Sequence, residues 1–150
     1  ANCALYCGAS VDFVDIELST GNISIAALEK KLAHAQANNN LPKVVIPVHF
    51  AGQPCDMQVI YQLSKKYGFS IIEDAAHAIG SSYQSYKTGS NKYSDITVFS
   101  FYANKTMTTG VGGMVVTRNS DLAKRMKIMR LHGIDRDVKS SAYFKLSGPL

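Results

Sequence analysis

The sequence predicts an α/β protein with a mostly parallel sheet and covering helices. Short apolar runs of strand length alternate with segments of helical periodicity, and turns containing glycine, asparagine or proline separate them. Hydrophobic residues make up 46% of the 150-residue chain and charged residues 18%, which is typical of a globular protein with a real core. No apolar stretch reaches the roughly 20 residues that a membrane-spanning helix requires, so no membrane partner is expected.

The first elements lie within the first fifty residues. Acidic residues alternate with Val, Phe and Ile over 11–17, which predicts a strand. Ser24 is expected to cap a helix that fades at the asparagine turn 38–40. The apolar run Lys43–Val48 then predicts a buried strand.

The same alternation continues to the end of the chain. Asp56 is expected to cap a helix that carries an apolar stripe and stops at Gly68. A basic helix opens at Asn119 and stops at Gly133. Its inward side chains are expected to be Leu122, Met126 and Met129. Further strands are predicted over Phe69–Asp74, Ile96–Ser100 and Gly113–Thr117.

The net charge of +5 comes entirely from the residues beyond position 117. No aromatic interleaving or nucleic-acid-binding motif accompanies the basic residues there, so no nucleic-acid partner is expected. The charge is better explained by a solvent-exposed basic face, or by one side of a contact with a subunit or substrate, than by nucleic-acid binding.

The three cysteines are an odd number in a chain without a secretory signal, which indicates reduced thiols in the cytoplasm. Cys3 and Cys7 are four residues apart, but no second cysteine pair or nearby histidine completes a metal site. The start lacks a basic n-region, and residues 140–150 form no closing element. The chain is therefore expected to be an excised piece of a longer protein.

Lys105 is the strongest functional candidate. It follows the strand Ile96–Ser100 by five residues, lies among small and apolar neighbours, and precedes a Thr/Gly-rich turn. Burial lowers the pKa of an amine, which is what a lysine needs to form a Schiff base with an aldehyde. Asp74 ends another apolar strand, where an isolated carboxylate would be costly, so a cationic partner is expected. Such a lysine and an aspartate paired with a ring nitrogen are the minimal requirement for pyridoxal phosphate.

Ligands gather at the carboxyl ends of the strands in sheets of this kind. Asp74 would keep the pyridine nitrogen protonated, and Lys105 would hold the cofactor and move the substrate proton. Ser100 offers a hydroxyl to the phosphate, and His77 could hydrogen-bond the phenolic oxygen of the ring.

Each assignment has a structural alternative. Asp74 could be a strand-end helix cap, His77 could be a satisfied structural histidine, and Ser100 could cap a turn. His49 is interpreted as a packed strand-end histidine and is left out of the site. The glycines of 110–113 precede a strand, whereas a dinucleotide-binding loop precedes a helix, so they indicate no nucleotide fingerprint.

Several longer stretches carry a family resemblance, among them Ile46–His49, Ala51–Met57, Ile72–Gly80, Phe99–Phe101, Thr108–Gly110 and Leu131–Gly133. In their order and spacing they resemble the DegT family of sugar aminotransferases, fold-type I pyridoxal-phosphate enzymes that aminate nucleotide-linked keto sugars. The resemblance covers residues 1 to about 137. It implies a three-layer large domain with a mostly parallel sheet, of which 1–150 would be the central part without the smaller C-terminal domain. It also implies a homodimer.

The resemblance implies a role for each candidate. Lys105 would be the Schiff-base lysine, Asp74 the pyridinium partner and Ser100 a phosphate ligand. His77 falls where the family often has glutamine, facing the ring oxygen. Two departures stand out. Val111 stands where the family usually has glutamate, and Tyr102 stands where histidine is frequent.

The expected activity is transfer of an amino group from an amino acid, glutamate in the simplest case, to a nucleotide-linked keto sugar. The presence of Lys105 argues against the dehydratase-like relatives, which lack that lysine. One alternative is a truncated, non-catalytic half-site or scaffold fragment of the same fold, and the chain length favours inactivity for these 150 residues alone. Another is a generic flavodoxin-like binding domain, which would require neither Lys105 nor Asp74.

Overall fold

A sheet of four strands organises residues 1–134, the part of the chain that this computed structural model describes. In chain order the strands are β1 (Val44–Val45), β2 (Ser70–Asp74), β3 (Ser82–Tyr83), β4 (Tyr86–Lys87), β5 (Ile96–Ser100) and β6 (Gly113–Val116). The main sheet has the order β1-β2-β5-β6, in which the first three strands are parallel and β6 is antiparallel to β5. The remaining two form an antiparallel hairpin. The predicted α/β class with a mostly parallel sheet is confirmed.

Helices alternate with these strands along the chain. They are α1 (Asn2–Tyr6), α2 (Ile25–Ala37), α3 (Met57–Tyr67) and α4 (Ser120–Met129), with a 3-10 turn over Phe50–Gly52. The side chains of α2 and α3 pack on one face of the sheet and form the main core with it. That core contains Leu28, Leu32, Val45, Ile60, Leu63 and Ile71. None of the helices in residues 1–134 is long and apolar enough to cross a bilayer.

The strands β2, β5 and β6 lie within one residue of their predicted bounds, but β1 is shorter than predicted. Beyond Val45 the run Lys43–Val48 makes only one isolated parallel bridge, from Val48 to Asp74. Pro47 has no N–H to donate to a ladder, which interrupts the strand. The run was predicted to be buried, but this is wrong for one face of it: the side chains of Val44, Ile46 and Val48 are 42–49% exposed. Alternate side chains of an extended edge strand point away from the helices.

The prediction of a strand over 11–17 is wrong, because the structure forms no strand there. Its backbone makes a single antiparallel bridge, from Ile16 to Ile23, and Phe13 is 73% exposed. The segment is instead held by Lys31 of α2, whose Nζ lies 2.7 Å from an Asp12 carboxylate oxygen. An alternating pattern specifies a strand only where a neighbouring strand is available for pairing.

Most helix ends follow the predicted signals. Ser24 caps α2 by accepting a hydrogen bond from the Ala27 N–H at 3.3 Å, and Gly68 ends α3 in the left-handed region at φ 78°. Asp56 occupies the N-cap position of α3, but the prediction that its side chain caps the helix is wrong. Its carboxylate instead accepts a hydrogen bond from the Tyr83 hydroxyl on the β3–β4 hairpin.

The basic helix α4 also begins as predicted. The Asn119 side chain accepts hydrogen bonds from the N–H groups of Asp121 and Leu122, and Gly133 follows the helix at φ 81°. Leu122 and Met126 are half-buried, but the prediction for Met129 is wrong, since this residue is 57% exposed. The closing stretch 140–150 lies outside the described residues.

We expect Ser24→Ala to lower the free energy of unfolding by about 1 kcal/mol, because the first turn of α2 loses its side-chain cap. Ser120→Ala is the matched control, since Ser120 is exposed in the first turn of α4, whose cap is the neighbouring Asn119. Urea unfolding followed by circular dichroism measures both. Equal stabilities for the two variants would contradict the capping role of Ser24.

Candidate active site

A buried hydrogen-bond cluster lies beneath the carboxyl edge of the sheet. His49 is 1% exposed and Glu73 is 5% exposed, and the His49 Nε2 lies 2.8 Å from Glu73 Oε2. The other carboxylate oxygen of Glu73 accepts hydrogen bonds from the hydroxyls of Ser94 and Thr97. The cluster therefore joins the segment after β1 to β2 and to the start of β5. It satisfies a carboxylate that would otherwise be costly to bury.

The hydrogen bonds of His49 determine its tautomer. Its Nδ1 accepts a hydrogen bond from the Cys55 N–H at 3.2 Å, so the ring proton is on Nε2 and is donated to Glu73. Burial, the largest single influence, raises the pKa of Glu73. The hydrogen bonds from His49, Ser94 and Thr97, with the electrostatic attraction of His49, together outweigh burial and hold the pKa of Glu73 below its usual value. The interpretation of His49 as a packed structural histidine agrees with this arrangement.

Asp74 is the next residue after Glu73 and points to the opposite face of the sheet, as the two-residue period of a strand requires. Its backbone is bonded on both sides. On one side its N–H donates to Pro47 O at 2.9 Å and its carbonyl accepts from the His49 N–H at 3.0 Å. On the other side the next N–H, of Ala75, donates to Val98 O at 2.9 Å.

The Asp74 side chain is half-buried at the end of β2. Its Oδ1 accepts a hydrogen bond from the Ala76 N–H at 3.1 Å, which is the local turn contact expected of a strand-end aspartate. Among residues 1–134, no hydrogen bond is made to the other carboxylate oxygen, Oδ2. One oxygen of Asp74 thus remains able to accept a hydrogen bond from a ligand.

Lys105 and His77 meet at this edge. The Lys105 Nζ lies 2.7 Å from the His77 Nε2, although the two residues are 28 positions apart in the chain. His77 lies in the turn after β2, and Lys105 lies in the loop after β5. Because β2 and β5 are parallel neighbours, the segments that follow them emerge at the same edge of the sheet. His77 is exposed, whereas Lys105 is half-buried.

The loop that carries Lys105 is closed at its base by Phe101. The Phe101 N–H donates to Gly112 O at 2.8 Å, and the Phe101 carbonyl accepts hydrogen bonds from Thr109 N at 3.0 Å and from Thr108 Oγ1 at 3.1 Å. Within the loop the Lys105 N–H donates to Tyr102 O at 3.0 Å. Backbone contacts therefore determine where the lysine side chain starts.

Ser100 ends β5 at the same edge as Asp74 and is half-buried. Its Oγ accepts a long hydrogen bond of 3.4 Å from the Tyr102 N–H, which corresponds to the turn-cap alternative. Its hydroxyl proton is still available to a ligand. The structure brings Lys105 and His77 into direct contact. It places Asp74 and Ser100 at the ends of the neighbouring strands β2 and β5. Among the described residues, no hydrogen bond joins Lys105 or His77 to Asp74 or Ser100.

Comparison with known proteins decides the family. The profile of the DegT/DnrJ/EryC1/StrS aminotransferase family matches residues 1–148. The chain belongs to this family. GDP-perosamine synthase of Caulobacter vibrioides is 40% identical over 135 residues, which is 90% of this chain and 34% of that protein.

Two solved structures have folds similar to that of this chain. One is Helicobacter pylori PseC, an aminotransferase involved in pseudoaminic acid biosynthesis, with a TM-score of 0.85 and 35% identity over 99% of this chain and 37% of that one. The other is Bacillus subtilis NtdA with bound cofactor PMP, with a TM-score of 0.76 and 31% identity over 95% of this chain and 31% of that one. The chain thus spans about a third of the length of these relatives.

The Glu73 cluster and the base of the lysine loop were missed by reasoning from the sequence of this DegT-family chain. A signal for the first existed, since Glu73 interrupts an apolar strand at a position that faces the helices. The hydroxyls of Ser94 and Thr97 lie near the start of the neighbouring strand. Their pairing with Glu73 could be found only once the register of β2 and β5 was known.

We expect acid to destabilise the protein partly through Glu73. Because its pKa is lowered in the folded state, its stabilising contribution is present above its usual pKa of 4.5 and is lost as the pH falls through the folded-state pKa. Glu73→Gln should cost about 1.5–3 kcal/mol of unfolding free energy at pH 7, since hydrogen bonds to a charged group are lost. It should also weaken the loss of stability on acidification.

Urea unfolding at pH 7 and at several pH values below 4.5 measures both effects. Glu29→Gln, which neutralises an exposed carboxylate on α2, serves as the control. An acid-induced loss of stability that is the same in wild type and Glu73→Gln would contradict the prediction.

Proposed function

We propose that the whole protein is a pyridoxal-phosphate-dependent aminotransferase that moves an amino group from an amino acid, with glutamate as the donor, to a nucleotide-linked keto sugar. The observation that carries the proposal is the 2.7 Å contact between the Lys105 amine and the His77 ring, at the sheet edge where β2 ends in Asp74 with one carboxylate oxygen open among the described residues. The names of the similar proteins support the sugar substrate and the cofactor.

We further propose that residues 1–150 form the central part of the cofactor-binding large domain, and that the protein acts as a homodimer in the cytoplasm. Support for the first point is the share of each relative that the chain spans. The homodimer rests on the family resemblance, and the location rests on the interpretation of the three cysteines as reduced thiols.

The residues at the edge fit the chemistry of pyridoxal phosphate. A half-buried carboxylate with an oxygen open to a ligand suits a protonated ring nitrogen, which is a cationic donor. A hydroxyl at the end of β5 suits a phosphate oxygen. A lysine held on a closed loop suits covalent attachment, because its amine is directed to one place. When bound, pyridoxal phosphate supplies an electron sink for the carbanion that forms at the substrate α-carbon.

The roles of the chain's own residues follow from these positions. Lys105 holds the cofactor through Nζ and moves the proton at the substrate α-carbon as general base and acid. Asp74 keeps the ring nitrogen charged. Its backbone bonds to Pro47 and His49, and the bond from the next N–H, of Ala75, to Val98 O, hold it in place. Ser100 donates its hydroxyl to the phosphate. His77 contacts Lys105 Nζ, and the resemblance gives its ring the phenolic oxygen of the bound cofactor as a further partner.

The proposal predicts a covalent adduct at Lys105. We expect the full-length protein with pyridoxal phosphate to show a visible absorbance band that borohydride removes, and mass spectrometry to find the reduced cofactor on Lys105. Lys105→Ala should abolish the adduct and lower transamination by about 10²–10⁴-fold, the range of general acid–base catalysis. Lys30→Ala, which removes an exposed lysine of α2, is the control. A wild-type adduct confined to another lysine would rule out this assignment and favour the non-catalytic alternative.

A second prediction concerns Asp74. A charge-assisted contact to the ring is worth about 1.5–3 kcal/mol, so Asp74→Asn should lower the rate of transamination roughly 10- to 100-fold. Folding should be nearly unchanged, because the side chain makes only the one local hydrogen bond to Ala76 within the described residues. Glu73→Gln provides the contrast, since this adjacent carboxylate is expected to affect stability. Near-normal turnover in Asp74→Asn would mean that Asp74 is only a strand-end turn residue.

A further inference from the structure

We infer that His77 is a positioning residue for Lys105: in the protein without cofactor, its Nε2 holds the lysine amine at the place where the amine must meet the cofactor. The inference rests on the proposed function. The observation behind it is the 2.7 Å contact between Nζ and Nε2. This role differs from the contact with the cofactor ring that the resemblance implied, because the partner of His77 is the lysine itself.

The chemistry of the pair specifies how the contact is made. A lysine ammonium has three donors and no acceptor, so it can bond His77 only if Nε2 carries no proton. The imidazole is then neutral, with its proton on Nδ1. A lysine side chain has four flexible bonds, and its amine would otherwise sample many positions. One strong, charge-assisted hydrogen bond at its end removes most of that freedom.

Both partners are themselves held by the backbone, which is what a positioning contact requires. The turn that carries His77 is closed by the hydrogen bond from Ala76 N to Asp74. The His77 carbonyl packs so closely against Gly52 that an added Cβ there would lie 2.8 Å from its oxygen. Lys105 starts from the loop whose base is closed by Phe101. The contact therefore links two fixed points on neighbouring strand ends.

The geometry gives His77 an effect on the capture of the cofactor aldehyde. A nucleophile already held near its target reacts faster than one that must first find its orientation. Removing the imidazole takes nothing from the amine except its positioning contact, so a small reagent that needs no fixed orientation can still reach it. Loss of His77 should thus slow the directed reaction with cofactor without slowing the reaction of Lys105 with a small, undirected reagent.

The first test uses the full-length protein without cofactor. Nitrogen-15 NMR of His77, at a pH where the ring is neutral, should find Nε2 unprotonated in the wild type. In Lys105→Ala the proton should move toward Nε2, the tautomer that an unconstrained imidazole prefers. Lys30→Ala should leave the His77 signals unchanged. Identical His77 tautomers in wild type and Lys105→Ala would overturn the inference.

The second test compares wild type, His77→Ala, His77→Gln and His34→Ala, the last replacing an exposed histidine of α2. Stopped-flow absorbance measures the rate of pyridoxal phosphate capture, and brief acetic anhydride labelling measures the intrinsic reactivity of Lys105. We expect capture to slow at least about fivefold in His77→Ala, since misplacement of a reacting group can cost up to ~10²-fold. Labelling should not slow. The glutamine oxygen can accept the same hydrogen bond, so His77→Gln should restore most of the capture rate.

Equal capture rates in wild type and His77→Ala would overturn the positioning role. A parallel loss of capture and labelling would overturn it too, because it would indicate a general disturbance of the loop. If wild-type protein formed no adduct at Lys105, the proposed function would fail and this role with it, and the NMR result would still report separately whether the histidine–lysine contact exists.

Discussion

The candidate site depends on the buried carboxylate of Glu73. An ionised carboxylate in a core is tolerated only when hydrogen bonds replace its water, and His49, Ser94 and Thr97 provide them here. These partners come from two parts of the chain, which flank β2 on either side in the sheet. The carboxylate therefore holds the segment after β1 and the start of β5 against β2. The lowered pKa of Glu73 indicates that the pairing outweighs the cost of burial.

Asp74, the residue after Glu73, has a different role because Glu73 is fixed in the core. Asp74 follows Glu73 on the same strand, so the period of the strand turns its carboxylate to the other face. Glu73 uses both oxygens inside the protein, whereas Asp74 uses one oxygen locally and leaves the other open among the described residues. Two consecutive acids thus serve different ends, with one maintaining the fold and the other available to a ligand.

The topology of the sheet brings His77 and Lys105 together at its carboxyl edge. Parallel strands end on the same side, so the turn after β2 and the loop after β5 are neighbours although 28 positions separate His77 from Lys105. Backbone hydrogen bonds at Phe101 and the close approach of Gly52 to His77 limit the freedom of both segments. The role proposed for Lys105 gains from such restraint, since directed chemistry requires an amine with a defined position.

The sequence by itself determined the strands β2, β5 and β6, the helices α2, α3 and α4, the caps at Ser24 and Asn119, the stop at Gly68 and the candidate set at the strand ends. These features depend on local chemistry: side-chain periodicity, the oxygens that can cap a helix, and the freedom of glycine. The motif stretches likewise indicated the family that the profile match later showed.

Only the tertiary structure decided which strands and side chains pair with one another. The 11–17 pattern is that of a strand, yet no adjacent strand pairs with it in the described residues, and Asp56 bonds Tyr83 rather than its own helix. The same holds for Glu73 with His49 and for His77 with Lys105, pairs that lie 24 and 28 positions apart. Local sequence limits which groups can donate, accept or carry charge. Which two groups meet depends on strand register and loop paths, because these set distances that no local pattern contains.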